Sequence, residues 1–272
     1  VARERVDIWS AAAETNFCGS IAGVKVVAHR GASSVCPENT MSAFRRAIDL
    51  GADGIEFDVQ ATADGGLVVI HDLSLERTTT GHGPVFAAGF EEVRALDAGS
   101  WFSAAYAGEQ VPALSEVLAL DDIKFELELK GYGESFVDGV LEAVRGAGVL
   151  EHVEFTGSNV ALLLLLKRRE PSATIGMFST SQPAWMSVEA FEHHVVGVAE
   201  TSGADVVHVH APCITPGVVE RLHRLGKIVH ANDAVDVTDL HRAIASGADR
   251  LSTNDVALAA DIVRAERPPA EP

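Results

Sequence analysis

The chain has 272 residues, a length that fits one α/β barrel or two smaller domains. Its 39 Asp and Glu outnumber 21 Lys and Arg, giving a net charge of −18, which argues against nucleic-acid binding or charge-driven attachment to anionic membranes. Hydrophobic residues at 47% and charged residues at 22% are globular proportions and exclude disorder over most of the length.

The chain opens with a predicted short helix, Val6 to Thr15, and a loop. Lys25-Val-Val-Ala-His29 is β-branched and reads as a strand. Glu38-Asn-Thr40 then caps a helix whose Met41, Phe44 and Ile48 share a face, ending at Gly51. Gly54 to Val59 is the second strand. Leu67 to His71 follows after only seven residues, too few for a parallel crossover. Asp64-Gly65 is a hairpin signal. A two-residue turn there pairs Val59 with Ile70 and Asp58 with His71. Arg77 to Leu114 is rich in Gly and aromatics with little periodicity, and reads as an insertion over one barrel end.

Further strands are predicted at Ile123–Lys130, His152–Thr156, Ala173–Phe178, Asp205–His210, Lys227–Ala231 and Asp249–Thr253, with helical segments between most of them. Repeated βα units imply a parallel sheet, and about eight of them imply a closed (β/α)8 barrel. An open doubly wound sheet is the second choice. No repeat or Pro, Gly or Ser-rich linker divides the chain, so residues 1–264 are expected to form one domain and Ala265–Pro272 a disordered tail. The longest apolar run, Val160 to Leu166, stops at Lys167-Arg168-Arg169, so neither a transmembrane helix nor a signal peptide is expected. Three cysteines, Cys18, Cys36 and Cys213, are too few for a disulfide framework. An acidic chain starting at Val1 fits a processed secreted enzyme better than a cytoplasmic one.

Period-2 geometry puts Glu56 and Asp58 on one strand face. Two buried carboxylates repel each other, and a divalent cation with a preference for oxygen, Mg²⁺ or Ca²⁺, relieves that cost. A solvent-facing strand carrying two harmless acids would look the same. Lys124-Phe-Glu126-Leu-Glu128-Leu-Lys130 alternates strictly and is open to both readings. Inside a barrel, Glu128 would be a third ligand and Lys130 a phosphate or carboxylate clamp, with Glu126 deeper on the same face. His29-Arg30-Gly31 ends the first strand, where parallel barrels build active sites. Arg30 suits a phosphate, and His29 with His71 makes a candidate acid/base pair.

Val27-Ala-His-Arg-Gly-Ala-Ser-Ser, Pro37-Glu-Asn-Thr, Gly51-Ala-Asp-Gly-Ile-Glu-Phe-Asp-Val, Asp64-Gly, Val69-Ile-His-Asp, Leu75-Glu-Arg-Thr-Thr-Thr-Gly and Phe125-Glu-Leu-Glu-Leu-Lys follow in order. This series resembles the glycerophosphodiester phosphodiesterase family over residues 25–130. The resemblance implies a variant TIM barrel with a small insertion, residues 73–114, after the His-Asp strand. It implies His29 and His71 as the acid/base pair, and Glu56, Asp58 and Glu128 as ligands of Mg²⁺ or Ca²⁺; His29 is preferred as the base and His71 as the acid, with the reverse open. Arg30 and Lys130 would hold the substrate phosphate, with Asn39 in support. Gly247-Ala-Asp-Arg-Leu-Ser-Thr-Asn-Asp255 resembles the family's closing strand, whereas Val229-His-Ala-Asn-Asp233 departs from its usual Trp-Thr-Val-Asn.

The expected reaction is phosphodiester cleavage to glycerol 3-phosphate and an alcohol. A lysophospholipase D acting on single-chain lipids is the first alternative, and a non-catalytic phosphate-ligand binding protein the second. His208 and His210 alternate on one strand face and either line the pocket or pack inside the barrel. Trp101, Phe102 and Tyr106 either bind an apolar chain or choline-like headgroup, or build the insertion's own core.

Overall fold

The computed structural model describes residues 23–266. The predicted helix Val6–Thr15 and Cys18 lie outside the described residues. The strands are β1 (Lys25–Ala28), β2 (Gly54–Ala61), β3 (Leu67–Val69), β4 (Lys124–Leu129), β5 (Val153–Thr156), β6 (Thr174–Phe178), β7 (Val206–His210), β8 (Ile228–Asn232) and β9 (Arg250–Thr253). The helices are α1 (Met41–Asp49), α2 (Phe90–Arg94), α3 (Leu114–Val117), α4 (Glu134–Ala147), α5 (Val160–Arg169), α6 (Val188–Ser202), α7 (Pro216–Arg224), α8 (Val237–Ala245) and α9 (Val256–Glu266). Ala265 and Glu266, expected in the tail, are the last turn of α9. No helix among the described residues is long and apolar enough to cross a membrane.

Strand order is β1-β9-β8-β7-β6-β5-β4-β2-β3, and β1 also pairs with β2. That last pairing, Val27 with Gly54 and Ala28 with Ile55, closes the sheet. Eight parallel strands among the described residues form the barrel, and β3 hangs antiparallel on β2. The open-sheet alternative is thereby excluded.

Local signals place the elements. Thr40 caps α1 by accepting from the Ala43 amide at 3.3 Å, and Ala43, Phe44 and Ala47 are buried. Thr215 caps α7 with Pro216 in the first turn, where its missing N–H costs nothing. On the strands, alternation sorts residues between two burial environments. Ile55, Phe57 and Val59 of β2, with Phe125, Leu127 and Leu129 of β4, pack outward beneath the helices. Phe57 meets Phe44 of α1 edge-on at 5.9 Å and Phe125 at 6.1 Å. The polar alternates point into the barrel: Glu56 is 4% exposed, Asp58 0% and Glu126 1%. A pattern shared with surface strands is here the pattern of a barrel with an acidic interior.

The hairpin corrects the expected register by one residue. Val59 pairs with Val69 and Gln60 with Val68, so Asp58 stands opposite Ile70 and not His71. The turn has three central residues: Thr62 exchanges backbone bonds with Gly66 and Gly65, and Gly65 is left-handed at φ 84°. A three-residue loop ending in a left-handed glycine moves the register by one, and so exchanges the faces of the returning strand. β3 therefore stops at Val69, and His71 lies past its end. The insertion has a separate small core of Val68, Ile70, Leu75, Val85, Ala88, Val93, Ala98 and Val111. Trp101, Phe102 and Tyr106 stack edge-to-face on one another at 5.6 and 5.8 Å. The Tyr106 hydroxyl reaches the Val35 carbonyl at 3.1 Å, tying the insertion to the loop after β1.

Candidate active site

A cavity of about 200 Å³ opens at the C-terminal ends of the barrel strands. His29, Arg30, Glu56, His71, Glu126, Glu128, Lys130, Ser158, Phe178, Asn232 and Asp233 line it. It gathers residues far apart in sequence because most sit at or just beyond a strand C-terminus, while Glu56 and Glu126 point in from within β2 and β4.

Arg30 and Gly31 turn the chain from β1 toward α1. Arg30 is left-handed at φ 57° and Gly31 at φ 80°. A side chain on Gly31 would lie 2.7 Å from the Ala43 backbone, so only glycine permits this approach. The turn aims the Arg30 amide at Glu56 Oε2, 2.8 Å away. Its guanidinium donates to Glu38 at 2.8 Å and lies 3.5 Å from Asp58.

Glu56, Asp58 and Glu128 converge, with one oxygen from each within 4.8 Å of the others. Burial pushes the carboxyls of Glu56 and Glu128 up, and the neighbouring Asp58 charge adds to it in both. Lys130 sits 2.7 Å from Glu128 and 3.3 Å from Asp58 Oδ1. Asn39 is 4% exposed and donates to Asp58 Oδ2 at 2.8 Å. Its amide thus orients an acid of the triad, where the sequence suggested the phosphate side.

His29 Nδ1 meets Asn254 Oδ1 at 2.8 Å. An amide oxygen only accepts, so Nδ1 carries the proton and Nε2 is bare. Nε2 lies 3.7 Å from Asp233 and 3.9 Å from Glu56. Burial, and then the Arg30 charge, push this imidazole below its ordinary value and keep it neutral. His71 Nδ1 donates to Asp72 at 2.6 Å, which leaves its Nε2 as the other reactive end. Arg77 donates to Asp72 at 2.6 Å and, by two bonds of 2.8 Å, to Glu38. The Arg77 bonds, reinforced by His71, hold the Asp72 carboxyl far below the usual carboxylate range. A continuous chain Arg30–Glu38–Arg77–Asp72–His71 therefore spans the rim.

The sequence reading missed Asn254, Asp233, Glu38, Arg77 and Asp72. Asn254 and Asp233 follow strand ends, so the rule that strand C-termini build the site marks them. Arg77 stands within the Leu75-Glu-Arg-Thr-Thr-Thr-Gly motif. His208 is fully buried in the barrel interior, and His210 does not line the cavity. The Trp101 cluster is likewise absent from its walls.

The glycerophosphoryl diester phosphodiesterase family model matches residues 29–258. This chain belongs to that family. A glycerophosphodiester phosphodiesterase of Caldanaerobacter subterraneus is 35% identical over 251 residues, covering 88% of this chain and 97% of the relative. The crystal structure of a glycerophosphodiester phosphodiesterase from Agrobacterium tumefaciens superposes with TM-score 0.74 at 30% identity, covering 87% of this chain and 99% of that one. A phosphodiesterase of Oleispira antarctica, solved with the product sn-glycerol-3-phosphate, superposes with TM-score 0.77 at 25% identity, covering 89% and 97%. The chain is a phosphoric diester hydrolase, and the alternative of a non-catalytic binding protein is set aside.

Proposed function

We propose that this enzyme hydrolyses small glycerophosphodiesters to glycerol 3-phosphate and an alcohol, with His29 as base, His71 as acid and one divalent cation at Glu56, Asp58 and Glu128. The donor set fits a hard cation, Mg²⁺ or Ca²⁺: three converging carboxylates, and a buried Asp58 Oδ1 that accepts no hydrogen bond, with the Lys130 ammonium 3.3 Å away. When bound, the cation supplies positive charge against a non-bridging phosphate oxygen. Arg30 and Lys130, both at the cavity wall, grip the same phosphate and add to the stabilisation of charge in the transition state.

The observation that carries this reading is the pair of oriented imidazoles in one cleft. The neutral His29, held by Asn254, takes a proton at Nε2 from the nucleophile. His71, acting as the imidazolium with its Nδ1–H held by Asp72, gives its Nε2 proton to the leaving alcohol oxygen. The nucleophile is water or the substrate's neighbouring hydroxyl, and a transient cyclic-phosphate signal in ³¹P NMR marks the second route. The product named for the Oleispira enzyme agrees with the substrate class.

A product assay tests the reading. Chelator-stripped enzyme is given Mg²⁺ or Ca²⁺ with glycerophosphocholine, glycerophosphoethanolamine and a lysophospholipid in parallel. Restored cleavage of the short diesters, with His29→Ala inactive, is the expected result. One feature favours the lysophospholipase D reading instead. Tyr132 (70% exposed), Trp185 (81%) and Val235 (60%) sit in loops that follow strand C-termini. An apolar rim of that kind would reward each added methylene of an acyl chain. Turnover of the lipid alone would transfer the mechanism to that substrate.

A further inference from the structure

Beneath the acidic triad the barrel carries a second polar layer that the proposed reaction does not use. Glu126 lies two residues before Glu128 on the same face of β4. His208 of β7 and His230 of β8 are register partners, and their rings stack at 4.3 Å with 24° between planes. Both histidines are fully buried, and Glu126 is 1% exposed. One atom from each of the three lies within 4.8 Å of the others.

The proton positions follow from the surroundings. Arg250 donates to Glu154 Oε2. With the Arg250 guanidinium against it, Glu154 is a carboxylate. An ionised Glu154 only accepts, so His208 Nε2, 2.7 Å from Glu154 Oε1, carries the hydrogen. Gly176 makes room for this bond: a side chain there would collide with Glu154 Oε1 and lie 2.7 Å from His208 Nε2. His208 Nδ1 is therefore left with a bare lone pair, and it faces Glu126 Oε1 at 3.6 Å. His230 Nδ1 faces Glu126 Oε2 at 3.2 Å. Neither oxygen of Glu126, neither nitrogen of His230 and not Nδ1 of His208 has a hydrogen-bond partner.

Buried polar atoms without partners are costly and rare, and here four of them face one another across 3.2 and 3.6 Å. His230 carries its one hydrogen on Nδ1 or Nε2, whereas His208 Nδ1 has none of its own to offer Glu126 Oε1. A metal ion held by one atom of each residue would serve all three at once. The ionised Glu154 on the far nitrogen of His208 is the partner that a metal-bound histidine ordinarily has. Two imidazoles and a carboxylate suit Zn²⁺ and its neighbours in the first row, not Mg²⁺ or Ca²⁺. Glu126 lines the cleft, so the site opens toward it.

We propose that Glu126, His208 and His230 bind a zinc-type ion at the barrel floor, separate from the hard cation at Glu56, Asp58 and Glu128. Co²⁺ is the probe, because it absorbs in the visible when held by imidazoles in a low-coordinate site. Stripped full-length enzyme is titrated with Co²⁺ in excess Mg²⁺, and bound metal is counted by mass spectrometry. The expected result is one Co²⁺ per chain with visible bands, displaced by Zn²⁺. Binding persists in Asp58→Asn and is at least 100-fold weaker in His230→Gln and in Glu126→Gln, with folding of each checked by circular dichroism. Three results overturn the proposal: no Co²⁺ retained by the unmodified enzyme, loss of the ion in Asp58→Asn, or unchanged affinity in a folded His230→Gln or Glu126→Gln protein. Should both floor variants fail to fold, the unmodified enzyme and Asp58→Asn still decide it.

Discussion

The mouth and the floor of the barrel interior are both built from buried acids, yet they are held differently. At the mouth each acid has a donor from a loop or strand end: the Arg30 amide for Glu56, Asn39 for Asp58 and Lys130 for Glu128. At the floor only Glu154 is so provided, by Arg250 and His208. The cause is position. Strand ends have loops whose amides and side chains are still uncommitted. Mid-barrel, every backbone amide is spent in the sheet ladder, so polar side chains there must satisfy one another or a bound ion.

The strongest way to break this comparison acts on the mouth alone. His29→Ala should lower kcat by about 10²- to 10⁴-fold, the usual worth of a general base, while the floor keeps its metal. A steady-state assay beside a metal count checks both halves. Next, Phe57→Ala attacks the apolar wall that both layers share. It should destabilise the protein by about 3–5 kcal/mol, read by denaturant unfolding, and loosen mouth and floor together. A variant that weakened only one layer would show that the wall is not common to both.

Arg77→Met severs the link between Glu38 and Asp72. A loss of about 10- to 100-fold in activity is expected, as for other groups that orient a functional side chain. Floor metal content should not change, and kcat should fall more than KM rises. Glu56→Gln tests the cost of crowding acids at the mouth. The folded-state carboxyl is raised, so the folded chain holds its proton longer than the unfolded chain. Stability of the metal-free enzyme therefore falls as pH rises from about 4.5, the ordinary value for Glu. The amide removes that penalty and should raise the metal-free Tm above pH 6 by roughly 2–4 °C, on the order of 1 kcal/mol, while weakening cation binding.

The smallest effect lies outside both layers. Backbone amides of Ser100, Gly108 and Gly99 hold the Asp97 carboxyl down to about 2. Its stabilisation is present above the unfolded value near 4 and is lost as pH falls through about 2. Asp97→Asn should lower Tm slightly at neutral pH and flatten the acid limb of the Tm profile, measured by calorimetry between pH 2 and 5.

Much of the mouth was legible because its residues cluster in short runs. His29-Arg30-Gly31, Glu56-Phe-Asp58 and Glu128-Leu-Lys130 each place two functional groups on one strand or strand end. Burial of Glu56 and Asp58 was not legible, since alternation is the same for a surface strand and a barrel strand. His71 was named by its motif although its register was wrong by one, because the three-residue turn shifts the returning strand and leaves His71 past the end of β3. Asn39 was found for the wrong neighbour: its left-handed backbone, φ 56°, turns the amide onto Asp58.

By itself, then, the sequence determined the βα alternation, the helix caps, the family and the motif residues of the mouth. These are local properties: period, capping chemistry and short spacings survive in one dimension. Closure of β1 on β2, the three-residue hairpin turn, the Arg30–Glu38–Arg77–Asp72–His71 chain and the meeting of Glu126 with His208 and His230 were decided only by the tertiary structure. Each joins residues whose partners are chosen by barrel geometry, and no local pattern encodes which strands will face each other across its axis.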